Sequence, residues 1–154
     1  MNRLAAAALA LVLAAPVFAA PMLAAPARAA DLEANKKTVV DFYDKALNQK
    51  DFDAASKYLG PRYIQHNPTA PDGSDGLKRL VAFLKEKFPN SRSEIKRVIA
   101  EGDIVVLHVH SVREPGQRGR AIVDMFRLEN GKIVEHWDVI QDVPEKAAND
   151  NTMF

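Results

Sequence analysis

Apolar residues recur at spacings of three and four between Leu32 and Asn48, where Val39, Val40, Phe42, Tyr43, Ala46 and Leu47 alternate with Lys and Asp. That is the period of an amphipathic helix. Asp51 can cap a second, shorter helix, Phe52 to Leu59, which Gly60 and Pro61 terminate. Arg62 to Asn67 reads as a short extended piece, and Pro68 to Gly76 as a loop. A third helix runs from Leu77 to Phe88 with Leu80, Val81, Phe83, Leu84 and Phe88 on its apolar side, and Pro89-Asn90 closes it.

From Ser91 onward the period falls to two. Ser93 to Ala100, Ile104 to Glu114, Arg120 to Leu128 and Lys132 to Gln141 read as four strands. They are separated by Glu101-Gly102-Asp103, Pro115 to Gly119 and Asn130-Gly131, turns short enough to make neighbouring strands antiparallel. Three helices followed by a four-stranded meander predict an α+β domain, with helices on one face of a curled sheet. A pocket between the two layers is the natural place for a small ligand.

The first residues follow a different pattern. A basic start at Arg3, an uncharged apolar run from Leu4 to Ala20 and the small-x-small sequence Ala27-Arg28-Ala29 are the three parts of a secretory signal. Residues 1–29 are therefore expected to be removed after Ala29. The domain then spans 30–143, a polar tail 144–154, and the protein works in the periplasm or outside the cell. Ala richness and the interruptions at Pro16 and Pro21 argue against a membrane anchor. Losing Arg3 and Arg28 takes basic residues from 21 to 19 against 20 acids, so the formal charge moves from +1 to −1. No basic stripe marks a nucleic-acid surface. The absence of Cys excludes disulfides and thiol catalysis.

Candidate chemistry concentrates in the last hairpin. His136, Asp138 and Ile140 share one strand face, and Trp137 points to the other, where it could mark a dimer surface. Whether Asp124 joins His136 and Asp138 depends on the Asn130-Gly131 turn. A plain two-residue turn sets Asp124 opposite Trp137, whereas a type I turn closed by a glycine bulge sets it opposite His136. The bulged form is preferred, because it gathers Asp124, His136 and Asp138 beside Phe126. Ile122-Val123 and Val139-Ile140 are expected to bury both faces of these strands, making an incidental Asp costly there. Two carboxylates and an imidazole in such a place suit acid–base work. His108 and His110 share a face of their own strand, and His66 stands just before the loop. With Phe126 these are the candidate substrate contacts. A His-x-His pair alone is a weak metal signal, so no metal site is expected.

Two stretches, Tyr63-Ile64-Gln65-His66-Asn67-Pro68 and Asp124 to Asp138 with its Gly-Lys-Ile-Val-Glu-His-Trp-Asp string, resemble the SnoaL-like polyketide cyclases of the NTF2-like superfamily. The resemblance covers essentially the whole domain. It implies a cone-shaped fold and an intramolecular aldol ring closure, or a related isomerisation, without metal or cofactor. The family's catalytic Asp matches Asp138. A pocket His of the family falls at Asp124, so the chain departs from the pattern there and its substrate is expected to differ. The implied step is enolisation, with His66, His108 or protonated Asp124 steadying the enolate oxygen. The alternatives are an exported binding protein for an apolar small molecule in the same pocket, and a module that dimerises through its sheet. An exported protein would meet free, diffusible compounds.

Overall fold

The computed structural model describes residues 30–154, so the predicted export signal lies outside the described residues. Helix α1 (Ala30–Tyr43) runs directly into a π-helical turn, Asp44–Asn48. Asp51 caps α2 (Phe52–Ser56) by accepting from the Ala54 amide. Strand β1 (Leu59–Gln65) and helix α3 (Gly73–Lys87) come next. The chain ends in four strands, β2 (Arg92–Glu101), β3 (Ile104–Val112), β4 (Arg120–Glu129) and β5 (Lys132–Asp142). The mixed α+β class agrees with the pattern of the sequence.

Three expectations are corrected. The second helix stops at Ser56, and Gly60 and Pro61 lie inside β1 rather than ending a helix. Because β1 pairs in parallel with β5, the sheet has five strands in the order β1-β5-β4-β3-β2. Pro61 is tolerated because β1 is an edge strand, where a missing ladder donor is harmless. Gly60 is needed because a Cβ there would sit 2.7 Å from Val134 Cγ1 of β5.

The last hairpin also differs. Asn130 and Gly131 both have positive φ (51° and 73°), the signature of a type I′ two-residue turn, and Glu129 faces Lys132. The bulge lies further along: Leu128 pairs with Ile133 but Arg127 with Glu135, leaving Val134 as the extra residue. This shifts the register once more and sets Asp124 opposite Asp138 and Phe126 opposite His136. Asp124, His136 and Asp138 therefore do share a face, by a different device from the one expected.

That face is concave and carries the core. Val105, Leu107 and Val109 of β3 are fully buried under α1, each such side chain stabilising the fold by roughly 1.5–3 kcal/mol. Phe42 and Tyr43 meet Phe126 edge-on, with ring centroids at 5.8 and 6.4 Å. The opposite face is only partly covered. Val139 is 65% exposed, and Val123 and Ile99 are exposed as well, so the strands are not buried on both sides as the apolar pairs suggested.

Candidate functional site

A cavity of about 530 Å³ opens between the concave face and the helices. Asp124, Phe126, His136 and Asp138 all line it, together with Tyr43 from α1, Tyr63 and Gln65 from β1, and Leu80, Phe83 and Leu84 from α3. Period-two alternation explains which polar groups reach it. β4 delivers Asp124 and Phe126, β5 delivers His136 and Asp138, and the extended segment around β1 delivers Tyr63, Gln65 and Asn67 while turning His66 outward.

The inner end is a chain of hydrogen bonds. Tyr43 donates its hydroxyl to Asp124 Oδ2 at 2.9 Å, and Asp124 Oδ1 lies 3.0 Å from His136 Nε2. His136 Nδ1 lies 2.9 Å from Gln65 Oε1, which also accepts from the Asn67 amide. A carbonyl oxygen can only accept, so Nδ1 carries a proton. The Nε2–Oδ1 contact then holds one further proton between imidazole and carboxylate. Burial pushes the Tyr43 phenol well above the usual tyrosine range, and the charge of Asp124 adds to this. Tyr43 is thus a fixed donor.

Asp138 is held differently. The Asn67 side-chain amide donates to both of its oxygens, at 2.8 and 2.7 Å. Asn67 is locked in turn, because its Oδ1 accepts from the backbone and the hydroxyl of Thr69. A carboxylate has about four acceptor positions, so Asp138 keeps free lone pairs toward the cavity, where it is half-buried. The ligand atoms of Asp124, His136 and Asp138 lie within 4.8 Å of one another, close enough for one cation. A metal would have to displace the Nε2–Oδ1 hydrogen bond, since both atoms are already turned toward each other.

The other three histidines do not line this cavity, which corrects their expected place. His66 stacks on Trp137 with centroids 4.6 Å apart, and its Nε2 lies 2.8 Å from Glu135 Oε1. Glu135 also accepts from Arg127 at 2.6 Å, and the two hydrogen bonds, that of His66 first, hold its carboxyl below the usual range. His108 and His110 lie on the outer sheet face under Phe154, with centroids at 5.6 and 4.3 Å. His108 Nδ1 is 3.0 Å from Arg97 Nη1, and His110 Nε2 is 2.7 Å from the Arg118 carbonyl. The open cleft there is lined by Lys96, Arg97, His110 and Arg118 together with Phe154. Sequence reasoning missed Tyr43, Gln65 and Asn67. Alternation through Tyr63 to Asn67 was the available signal for the last two, and it also sends His66 away from them.

A model of the SnoaL-like polyketide cyclases matches residues 37–148. No curated protein matches the chain in sequence. Among solved structures, a Jannaschia sp. CCS1 protein provisionally described as a SnoaL-like polyketide cyclase is similar at TM-score 0.61. It is 24% identical over 73% of this chain and 89% of its own. AclR of Streptomyces galilaeus, provisionally described as a hydroxylase, is similar at TM-score 0.61 and 22% identity, covering 73% of this chain and 82% of its own. TsrD of Streptomyces laurentii is similar at TM-score 0.60 and 20% identity, covering 70% and 88%. At such identities the likeness is one of fold, while the family model spans most of the chain and includes every residue of the hydrogen-bonded site. The chain belongs to the SnoaL-like polyketide cyclase family.

Proposed function

We propose that the protein is a cofactor-free enzyme acting on a small carbonyl compound, with Asp138 as general base. The observation that carries this reading is the contrast between its two carboxylates. Asp124 spends its oxygens on Tyr43 and His136, while Asp138 keeps lone pairs open to the cavity. In the proposed step Asp138 takes a proton from the carbon beside a carbonyl; the C–H electron pair becomes the C=C bond of the enolate, and the carbonyl π pair moves to its oxygen. The proton held between Asp124 and His136 stabilises the developing enolate. The enolate carbon then attacks a second carbonyl of the same molecule, forming the C–C bond of an aldol closure; the π pair of that carbonyl moves to its oxygen, which takes back the proton held by Asp138. Alternatively the enolate regains a proton elsewhere, which is isomerisation. His66 and His108 are not the donors, because both lie on the outer face.

Export remains part of this reading: the N-terminal pattern favours a protein that meets free compounds outside the cytoplasm. The test is hydrogen–deuterium exchange at the α-carbon of a panel of 1,3-diketones in heavy water, followed by NMR. Catalysed exchange that disappears in Asp138→Asn, with an unchanged melting temperature, supports the assignment. Exchange retained by Asp138→Asn removes Asp138 as the base. Saturable binding of the diketones with no exchange in the unaltered protein identifies a binding protein instead.

A further inference from the structure

The cavity has a second polar end. Ser93, Ser111 and Arg120 are cross-strand neighbours on β2, β3 and β4, so they share the concave face, and Arg113 follows Ser111 by two residues. All four line the same cavity as Asp138. Arg120 lies four residues from Asp124 along β4, about 13 Å at the rise of a strand. Between the two ends the floor is Ile122 and Ile140. The cavity therefore runs from carboxylates through an apolar middle to guanidinium groups.

Neither guanidinium has an anionic partner among the described residues. Among the described residues the arginine ion pairs are those of Arg127 with Glu129 and Glu135. Asp142, across the ladder from Arg120, is exposed and does not line the cavity. Arg113 is half-buried, with its guanidinium 4.8 Å above the Phe88 ring, which fixes its orientation. Burial, and then the like charge of Arg120, hold its pKa below the usual arginine range. Two cations that repel each other in a partly desolvated cavity are relieved by an anion between them. Ser93 donates to Ser111 Oγ at 3.1 Å, leaving the Ser111 proton for another acceptor.

We propose that Arg113 and Arg120 form an oxyanion subsite, so that the compound handled at Asp138 carries a carboxylate or phosphate at the end remote from its reacting carbonyl. The second half of this statement rests on the proposed role of Asp138; the subsite itself does not. Guanidinium pairs grip carboxylate and phosphate by the same forked hydrogen bonds, and an apolar chain of fitting length would connect that anion to the carbonyl.

Calorimetric titration of the purified protein with decanoate, decyl phosphate and decanol tests this without any turnover. The expected result is that one or both anions bind at least about tenfold more tightly than decanol. The better anion tells carboxylate from phosphate. Arg120→Gln and Arg113→Gln should each cut that preference to about threefold or less while leaving decanol unchanged, and Arg120→Lys should restore most of it. Melting temperatures guard against misfolding, and Arg120→Gln serves alone if Arg113→Gln disturbs Phe88. Equal affinity for decanol and both anions, no binding by any of the three, or a preference that survives the Gln variants would overturn the proposal. Asp138→Asn should keep the anion preference, so a failed base assignment and a failed subsite give different results.

Discussion

The Tyr43 hydroxyl and Asp124 Oδ2 lie 2.9 Å apart, joining the helical roof to the middle of β4 inside the core. Both side chains are almost fully buried, at 3% and 4% exposure. This contact is why Asp124 can remain in the core, and why the cavity keeps a defined inner wall.

Tyr43→Phe removes the hydroxyl and leaves Asp124 Oδ2 buried without its donor. The expected loss is about 1–3 kcal/mol, read from urea unfolding at pH 7. Alkaline pH gives a second reading. The folded Tyr43 pKa is raised while the unfolded one stays near 10, so the unfolded chain loses its proton first. The contribution is complete below about pH 10 and falls as pH climbs from there toward the folded value. Tyr43→Phe should therefore lose less stability than the parent protein between pH 9 and 11. Identical slopes for the two proteins would deny the linkage.

Asn67→Ala should leave the fold nearly intact, within about 1.5 kcal/mol, since Asn67 bonds only near the cavity rim. Turnover should fall by about 10- to 100-fold, because Asp138 loses the amide that fixes its direction. KM should change little. A proportionate rise in KM with unchanged kcat would mean that Asn67 holds substrate rather than Asp138.

The period-two and 3.6-residue patterns make four of the five strands and the helices readable in the sequence. Long-range pairing was not readable. Arg62 to Asn67 reads as extended, but the start of β1 does not, because Gly60-Pro61 is a helix stop by local rules, and its parallel partner β5 lies far along the chain. The hairpin shows the same limit: Asn130-Gly131 makes the plain two-residue turn instead of the preferred bulged one, and the extra residue stands at Val134, beside Gly60 of β1. His136, Asp124 and Asp138 stood out by residue type within an apolar strand pattern. Gln65 and Asn67 did not, since amides are ordinary in loops and their purpose appears only once β1 lies against β5.

Gly76 makes a local test of the cavity's outer wall. It is buried at the start of α3, where an added Cβ would collide with the backbone carbonyl of Pro71. Backbone cannot rotate out of the way as a side chain does. Gly76→Ala should destabilise by about 1–3 kcal/mol despite alanine's better helix propensity, measured by thermal unfolding. A neutral or stabilising result would mean that the 68–72 segment yields easily.

Acid pH should expose the outer cluster. Glu135 is held below the ordinary carboxylate range by His66 and then Arg127, so the folded pKa is lower than the unfolded value near 4.5. The stabilisation is complete above that unfolded value and disappears as pH falls through the folded one. For a pair near the surface it is at most about 1 kcal/mol. Glu135→Gln should flatten the fall in stability below pH 4.5, and Trp137 fluorescence offers a direct probe because His66 stacks on it. An unchanged acid profile would place the linkage elsewhere.

Asp124→Asn separates the two services of the inner chain. Asparagine can keep both bonds of the native carboxylate, with Oδ1 accepting from Tyr43 and Nδ2 donating to Nε2 of a neutral His136. Nδ1 of that imidazole still donates to Gln65. No buried group loses a partner, so stability should change by less than about 1 kcal/mol. What disappears is the proton shared between Oδ1 and Nε2, and with it the donor for a developing enolate. Deuterium exchange at a carbonyl α-carbon should fall by about 100-fold or more. Asp124→Leu also lacks the proton but strands both Tyr43 and His136, so it should lose activity together with several kcal/mol of stability. If Asp124→Asn stays folded and keeps full exchange activity, the pair is a structural strut, and the proton donor must be sought elsewhere in the cavity.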